Sequence, residues 1–177
     1  MKNNNQKLAL ILGVGFSTVF WTVVWLSLGW FSENRDWYIS GHLFRYNIPI
    51  TTIFAVYALE LFLSTFIPPS REKILNNVPY LIVWGIGFVQ LYLRLVSKSI
   101  DISGHMTWAG LMIAHSVLRG FPWWMHLLAL GVWLHAAYFN YILWENTSGE
   151  NGTILGIVLA LLLIVLKRMS DKSNFQR

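Results

Sequence analysis

LALILGVGFSTVFWTVVWLSLGW, residues 8–30, carries no charged side chain from end to end. An α-helix rises about 1.5 Å per residue, so roughly 20 such residues cross the ~30 Å hydrocarbon layer of a bilayer. The stretch therefore predicts a membrane-spanning helix. MKNNNQK precedes it and looks like the basic start of a signal peptide. The apolar run is too long for that and ends without a small-residue cleavage pattern, so a retained helix is expected.

Five further apolar runs follow, at Tyr46–Ile67, Pro79–Val96, Met106–Leu118, Trp123–Trp144 and Thr153–Leu166. The second stops at Pro68-Pro69, because proline cannot continue a helix without losing a hydrogen bond. The third opens on Pro79, a residue the first helical turn tolerates. The fourth is the shortest, and gains a turn if Ser103 and Gly104 join it. The expected fold is an all-α, polytopic membrane helix bundle of about six transmembrane helices, one integral membrane domain over residues 1–177 with no linker. Composition agrees: 55% of residues are hydrophobic and 12% charged, against about 25% charged in soluble domains. With no cysteine, disulfides, thiolate metal sites and cysteine nucleophiles are excluded.

Lys and Arg in the connections orient the bundle. Lys2, Lys7, Arg71, Lys73, Arg119, Lys167, Arg168, Lys172 and Arg177 fall on one side, and Arg35, Arg45, Arg94 and Lys98 on the other. The bias predicts that both termini are inside. The connection ENTSGENGT, with two glutamates and no basic residue, suits the outside. The net charge of +5 is then a matter of orientation and lipid headgroups, and nucleic acid is not an expected partner. A multi-pass protein of the plasma membrane, or of a bacterial inner membrane, is expected.

Two copies of one tripeptide lie on the predicted outer side, Ser40-Gly41-His42 and Ser103-Gly104-His105, each at the edge of an apolar run. Serine caps a helix start, and glycine lets the backbone come close to a ligand. The free amides and positive dipole end of a first turn favour an anion. A histidine there can donate a proton or, when neutral, attack phosphorus. The plain structural alternative is an interfacial cap whose histidine is bonded to water. Asp36, Arg45, Arg94, Lys98, Asp101 and Glu145 fall within a turn or two of the same interface. Ionisable groups there are costly, which makes them functional candidates. Arg94 and Lys98 have the alternative role of snorkelling to headgroups.

The longer string Asp101-Ile102-Ser103-Gly104-His105 resembles the DISGH element of the fat storage-inducing transmembrane (FIT) family. That family is related to the type 2 phosphatidic acid phosphatases, whose second motif is also Ser-Gly-His. The resemblance covers about residues 90–165. It implies six spans with cytosolic termini, DISGH opening the fourth helix on the lumenal side, and histidine-based phosphatase chemistry. A second catalytic histidine closes the family's fifth helix in a Tyr-Phe-His string. Here the matching string is Tyr138-Phe139-Asn140, and Asn140 cannot form a phosphoenzyme. His42 is then the expected complement of His105, and His135 the second choice. His135 lies about 140° around the helix from Asn140, so it does not simply substitute for it.

His115 and His135 fall at similar depths by the apolar-run count, near ~14 Å. They are candidates for haem or metal ligation or a proton relay, with interhelical hydrogen bonds as the ordinary alternative. His126, beside Trp123 and Trp124, reads as an aromatic-belt residue. Glu60 and Gln90, each inside an apolar run, need bundle-interior hydrogen-bond partners.

These readings lead to an expected phosphatase for lipid phosphates or diphosphates on the outer side, with no metal and no cofactor. His105, His42 and His135 are the catalytic candidates. Arg45, Arg94 and Lys98 would cradle phosphate, Ser103, Gly104 and Asp101 are further substrate-binding candidates, and Asp101 would orient a histidine or merely begin the turn. Membrane lipids and a phosphorylated lipid substrate are the expected partners. Two other classes stay open: a non-catalytic lipid-binding protein, and a haem-bearing electron-transfer subunit using His115 and His135.

Overall fold

Apolar runs become helices here even across two prolines. The computed structural model describes residues 4–31, 43–97, 100–138, 141 and 148–175. Its helices are α1 (Asn4–Phe31), α2 (Leu43–Phe66), α3 (Arg71–Leu95), α4 (Gly104–Leu118), α5 (Trp123–Ala137) and α6 (Ser148–Phe175). Within them Asn4–Val24, Ile48–Phe66, Arg71–Arg94 and Ser148–Lys172 are long and apolar enough to cross a membrane. Ile11, Phe16 and Val19 on α1, Phe88, Val89 and Tyr92 on α3, and Ile154 and Leu161 on α6 are exposed. Such surfaces are unfavourable in water and ordinary in lipid, so the helices fit a membrane protein. α4 and α5 have 15 residues each, about 22 Å, less than the full hydrocarbon thickness.

The bounds of α3 and α6 depart from the apolar runs. α3 begins at Arg71, not at Pro79, because Ser70 caps it: the backbone there is extended and Oγ accepts the Lys73 amide at 3.2 Å. Glu72 in the first turn adds a favourable charge at the positive helix end. Pro79 is thus inside the helix, which forgoes one backbone bond there. α6 also outruns its apolar segment at both ends, and the Lys167–Asp171 pair spaced i,i+4 supports its polar C-terminal turns.

The chain divides into two compact units, Met1–Glu60 and Leu61–Arg177. In the first, α1 meets α2 at Gly13, where an added Cβ would stand 2.8 Å from Val56 Cα. One turn on, the Ser17 and Thr52 hydroxyls are 2.7 Å apart. Thr52 gives its own proton to the Ile48 carbonyl at 2.8 Å, so Ser17 is the donor of the pair.

In the second unit α4 is the axis, packed against α3, α5 and α6. Met106, Thr107, Ala109, Leu111, Met112, His115 and Ser116 on it are buried. An added Cβ on Gly110 would lie 3.3 Å from the Gly156 backbone, and one on Gly152 would lie 2.5 Å from the Ser103 carbonyl oxygen. The two helices therefore meet backbone to backbone, as small residues allow between membrane helices. Thr107 reinforces the contact, its hydroxyl bonding the carbonyls of Ser103 at 2.9 Å and Gly152 at 3.2 Å.

α4 ends in a Schellman turn. Phe121 N–H bonds the Ser116 carbonyl and Gly120 N–H the Val117 carbonyl, both at 3.1 Å, with Gly120 at φ 63°. The chain then returns as α5, and Ser116 Oγ meets His126 Nδ1 at 2.9 Å across the hairpin. Beside this turn Arg119 donates to Asn77 Oδ1 at 2.7 Å and lies 5.0 Å over the Tyr80 ring.

Candidate functional site

The DISGH turn is where α3, α4 and α6 converge. Ser103 caps α4, its Oγ accepting the Met106 amide at 3.5 Å. The neighbouring helices hold the rest of the turn. Gln90 Nε2 of α3 donates to the Ile102 carbonyl at 3.0 Å. From α6, the Ser148 carbonyl accepts the Ser103 amide at 2.8 Å and Asn151 Nδ2 reaches the Asp101 carbonyl at 3.4 Å. A helix start anchored on two sides carries its first-turn side chains at a fixed place.

His105 is the second residue of α4, outside the four helices long enough to cross a membrane. Burial pushes its imidazole pKa down from 6.5 to about 4, and the Arg94 guanidinium adds to the effect. The ring is therefore neutral at pH 7. Arg94 stands in the last turn of α3, with Nη1 buried and bound to no acceptor. Gln90, one turn earlier, is buried, and its Oε1 likewise accepts no hydrogen bond. Asp101 is exposed. Ser103 and Gly104 are buried in the helix packing. An added Cβ on Gly104 would meet Leu91 Cδ1 at 3.2 Å. These two residues thus build the turn.

Several expected residues fall outside what is described. His42, Lys98, Asn140, Asp36 and Glu145 lie outside the described residues. Arg45 is in the first turn of α2, with its side chain outside what is described. His135 is near the end of α5. Counted from the α4–α5 hairpin, it is 12 residues along α5 while His105 is 13 residues back along α4. The two histidines therefore lie at about the same level, within ~2 Å along the helices.

The same count separates His115 from His135. His115 is only three residues from the hairpin, which places the pair about 13 Å apart along the helix axes. The expected equal depth was counted from the outer ends of two runs of unequal length, and the count from the hairpin does not reproduce it. His115 instead accepts a hydrogen bond from Trp84 Nε1 at 3.1 Å on Nδ1, edge-on to Tyr80 and Trp84. Indole is only a donor, so in a neutral ring Nε2 carries the proton and has no lone pair for iron. His126 bonds Ser116 rather than standing in an aromatic belt alone.

Sequence reasoning assigned Gln90 an interior hydrogen bond without locating it at the motif. The available signal was its i,i+4 spacing to Arg94 on one helix face. The described residues are helical apart from short connections, with four apolar helices of membrane-crossing length and a histidine–arginine–glutamine cluster at one helix-end turn. No family model, curated protein or solved structure matches the chain.

Proposed function

We propose that the chain is a multi-pass membrane phosphatase for lipid phosphates or diphosphates, with termini inside and the DISGH turn facing outward. Charge bias in the connections supports the orientation, and the resemblance of residues 101–105 to the FIT element supports the chemistry. The observation that carries the reading is a neutral histidine on the first turn of α4, beside an arginine with an unpartnered buried nitrogen.

In this reading Arg94 binds the non-bridging oxygens, and the amide dipoles at the start of α4 add positive potential. A lone-pair nitrogen of His105 attacks phosphorus, a nitrogen–phosphorus bond forms, and the phosphorus–oxygen bond to the leaving group breaks. The departing oxygen needs a proton, for which His135 is the candidate donor among the described residues. Water then attacks the phosphohistidine, releasing phosphate and restoring the ring. Histidine and guanidinium suffice for these steps, so activity should survive chelators.

The test is phosphate release from a panel of lipid phosphates and diphosphates, with EDTA present, by wild type and His105→Ala. Release by wild type alone supports the reading. Equal release by both removes His105 from it, and lipid binding without turnover points to a non-catalytic lipid-binding protein.

A further inference from the structure

Beside the DISGH turn, helix packing leaves Gln90 Oε1 and Arg94 Nη1 buried without a hydrogen bond. Gln90 is 4% exposed, and its amide orientation is set because Nε2 donates to the Ile102 carbonyl at 3.0 Å. Its Oε1 is therefore a fixed acceptor, buried and without a hydrogen bond. Arg94 Nη1, one helical turn along the same face, is a buried cationic donor in the same condition. An unsatisfied buried polar atom costs about 1–3 kcal/mol, more if charged, so such atoms in a native protein call for a partner. These two do not satisfy each other. A fully ionised phosphate would answer Arg94 but has no hydrogen to offer Gln90.

We propose that Gln90 is a specificity-determining residue: its carbonyl oxygen accepts a hydrogen bond from an O–H or N–H group that the ligand carries a few bonds from the phosphate held by Arg94. The proposal rests on the lipid-phosphate reading and narrows its substrate class to amphiphiles with a free donor beside the phosphate. Cβ atoms at i and i+4 are roughly 5–6 Å apart, a span suited to a phosphate and a hydroxyl or amine two carbons away. The bond from Gln90 to Ile102 ties this selection to the turn that carries His105. A ligand engaged at both atoms is thus presented to the imidazole, and one lacking the donor leaves Oε1 buried and unpaired. Discrimination then follows from an unmet hydrogen bond, which a polar site enforces more strongly than an apolar pocket enforces shape.

The experiment uses three 1-acyl-glycerol 3-phosphate analogues with one acyl chain, bearing hydroxyl, amine or hydrogen at carbon 2. Binding to the full chain in phosphatidylcholine nanodiscs is measured by calorimetry, and phosphate release is followed in parallel. Wild type should bind the hydroxyl and amine analogues at least about ten-fold more tightly than the hydrogen analogue. Gln90→Met should lose that preference while still binding phosphate through Arg94. Because Gln90→Met also loses the bond to Ile102, the wild-type comparison stands as a test by itself. Equal wild-type affinity for all three overturns the proposal. Turnover without discrimination removes the role of Gln90 and leaves the phosphatase reading. Discrimination without turnover does the reverse, and no binding at all overturns both.

Discussion

Replacing Gly152 by Ala tests whether the close meeting of α4 and α6 holds the DISGH turn in place. The new Cβ would sit 2.5 Å from the Ser103 carbonyl oxygen, 2.9 Å from Ser103 Cβ and 3.0 Å from Met106 Cβ. None of these is the free end of a flexible chain. Reaching even a tight contact of 3.0 Å requires the helices to part by at least about 0.5 Å at this point. That movement also strains the Thr107 bond to the Gly152 carbonyl and the Ser103 amide bond to Ser148. Overpacking of this kind costs about 1–3 kcal/mol, worth several degrees in melting temperature for a chain of this length. Gly131→Ala is the matched control, since no atom lies within 4 Å of its added Cβ. The control should melt at or above the wild-type temperature, because alanine exceeds glycine in helix propensity by up to about 1 kcal/mol. Melting would be followed by near-ultraviolet circular dichroism in nanodiscs, with phosphate release measured on the same samples. If Gly152→Ala is as stable and as active as wild type, the packing argument is wrong.

Trp84→Phe removes the donor to His115 Nδ1 and keeps most of the aromatic volume. It should destabilise by about 1–3 kcal/mol, and a double-mutant cycle with His115→Leu should show coupling between the two. For His105, the folded pKa of about 4 lies below the reference 6.5, so the unfolded state binds more protons between those values. Stability should be lost as pH falls from about 6.5 to 4, and turnover should show no loss near 6.5; an NMR titration of His105 near its unperturbed value contradicts this. Arg119→Ala deletes both the bond to Asn77 and the stacking over Tyr80. It should lower the melting temperature at a cost of about 1–3 kcal/mol while leaving phosphate release per folded molecule unchanged.

The apolar runs located six helices because burial in lipid is written locally, residue by residue. Where tertiary contacts decide, the sequence was less legible. Pro79 looked like a helix start, yet the Ser70 hydroxyl and Lys73 amide set the start eight residues earlier. His115 and His135 looked level because depth was counted from the outer ends of runs of unequal length, whereas the hairpin after Leu118 gives α4 and α5 a common end to count from. Ser103 as a cap was legible, since an N-cap is a contact within one turn. The anchoring of that turn by Gln90, Ser148 and Asn151 was not, because those partners come from two other helices. Nor does a sequence pattern tell that Trp84 Nε1 bonds His115 Nδ1.

The central claim is that His105 is a nucleophile, and trapping its phosphorylated form tests that most directly. Wild-type protein would be mixed with a lipid phosphate substrate, quenched in base within the first turnover, digested and examined by mass spectrometry. The account predicts a base-stable, acid-labile phosphoryl group on the peptide containing His105, and none in His105→Gln. Phosphate release by wild type with no phosphoryl group on His105, or with one on another residue, would contradict it.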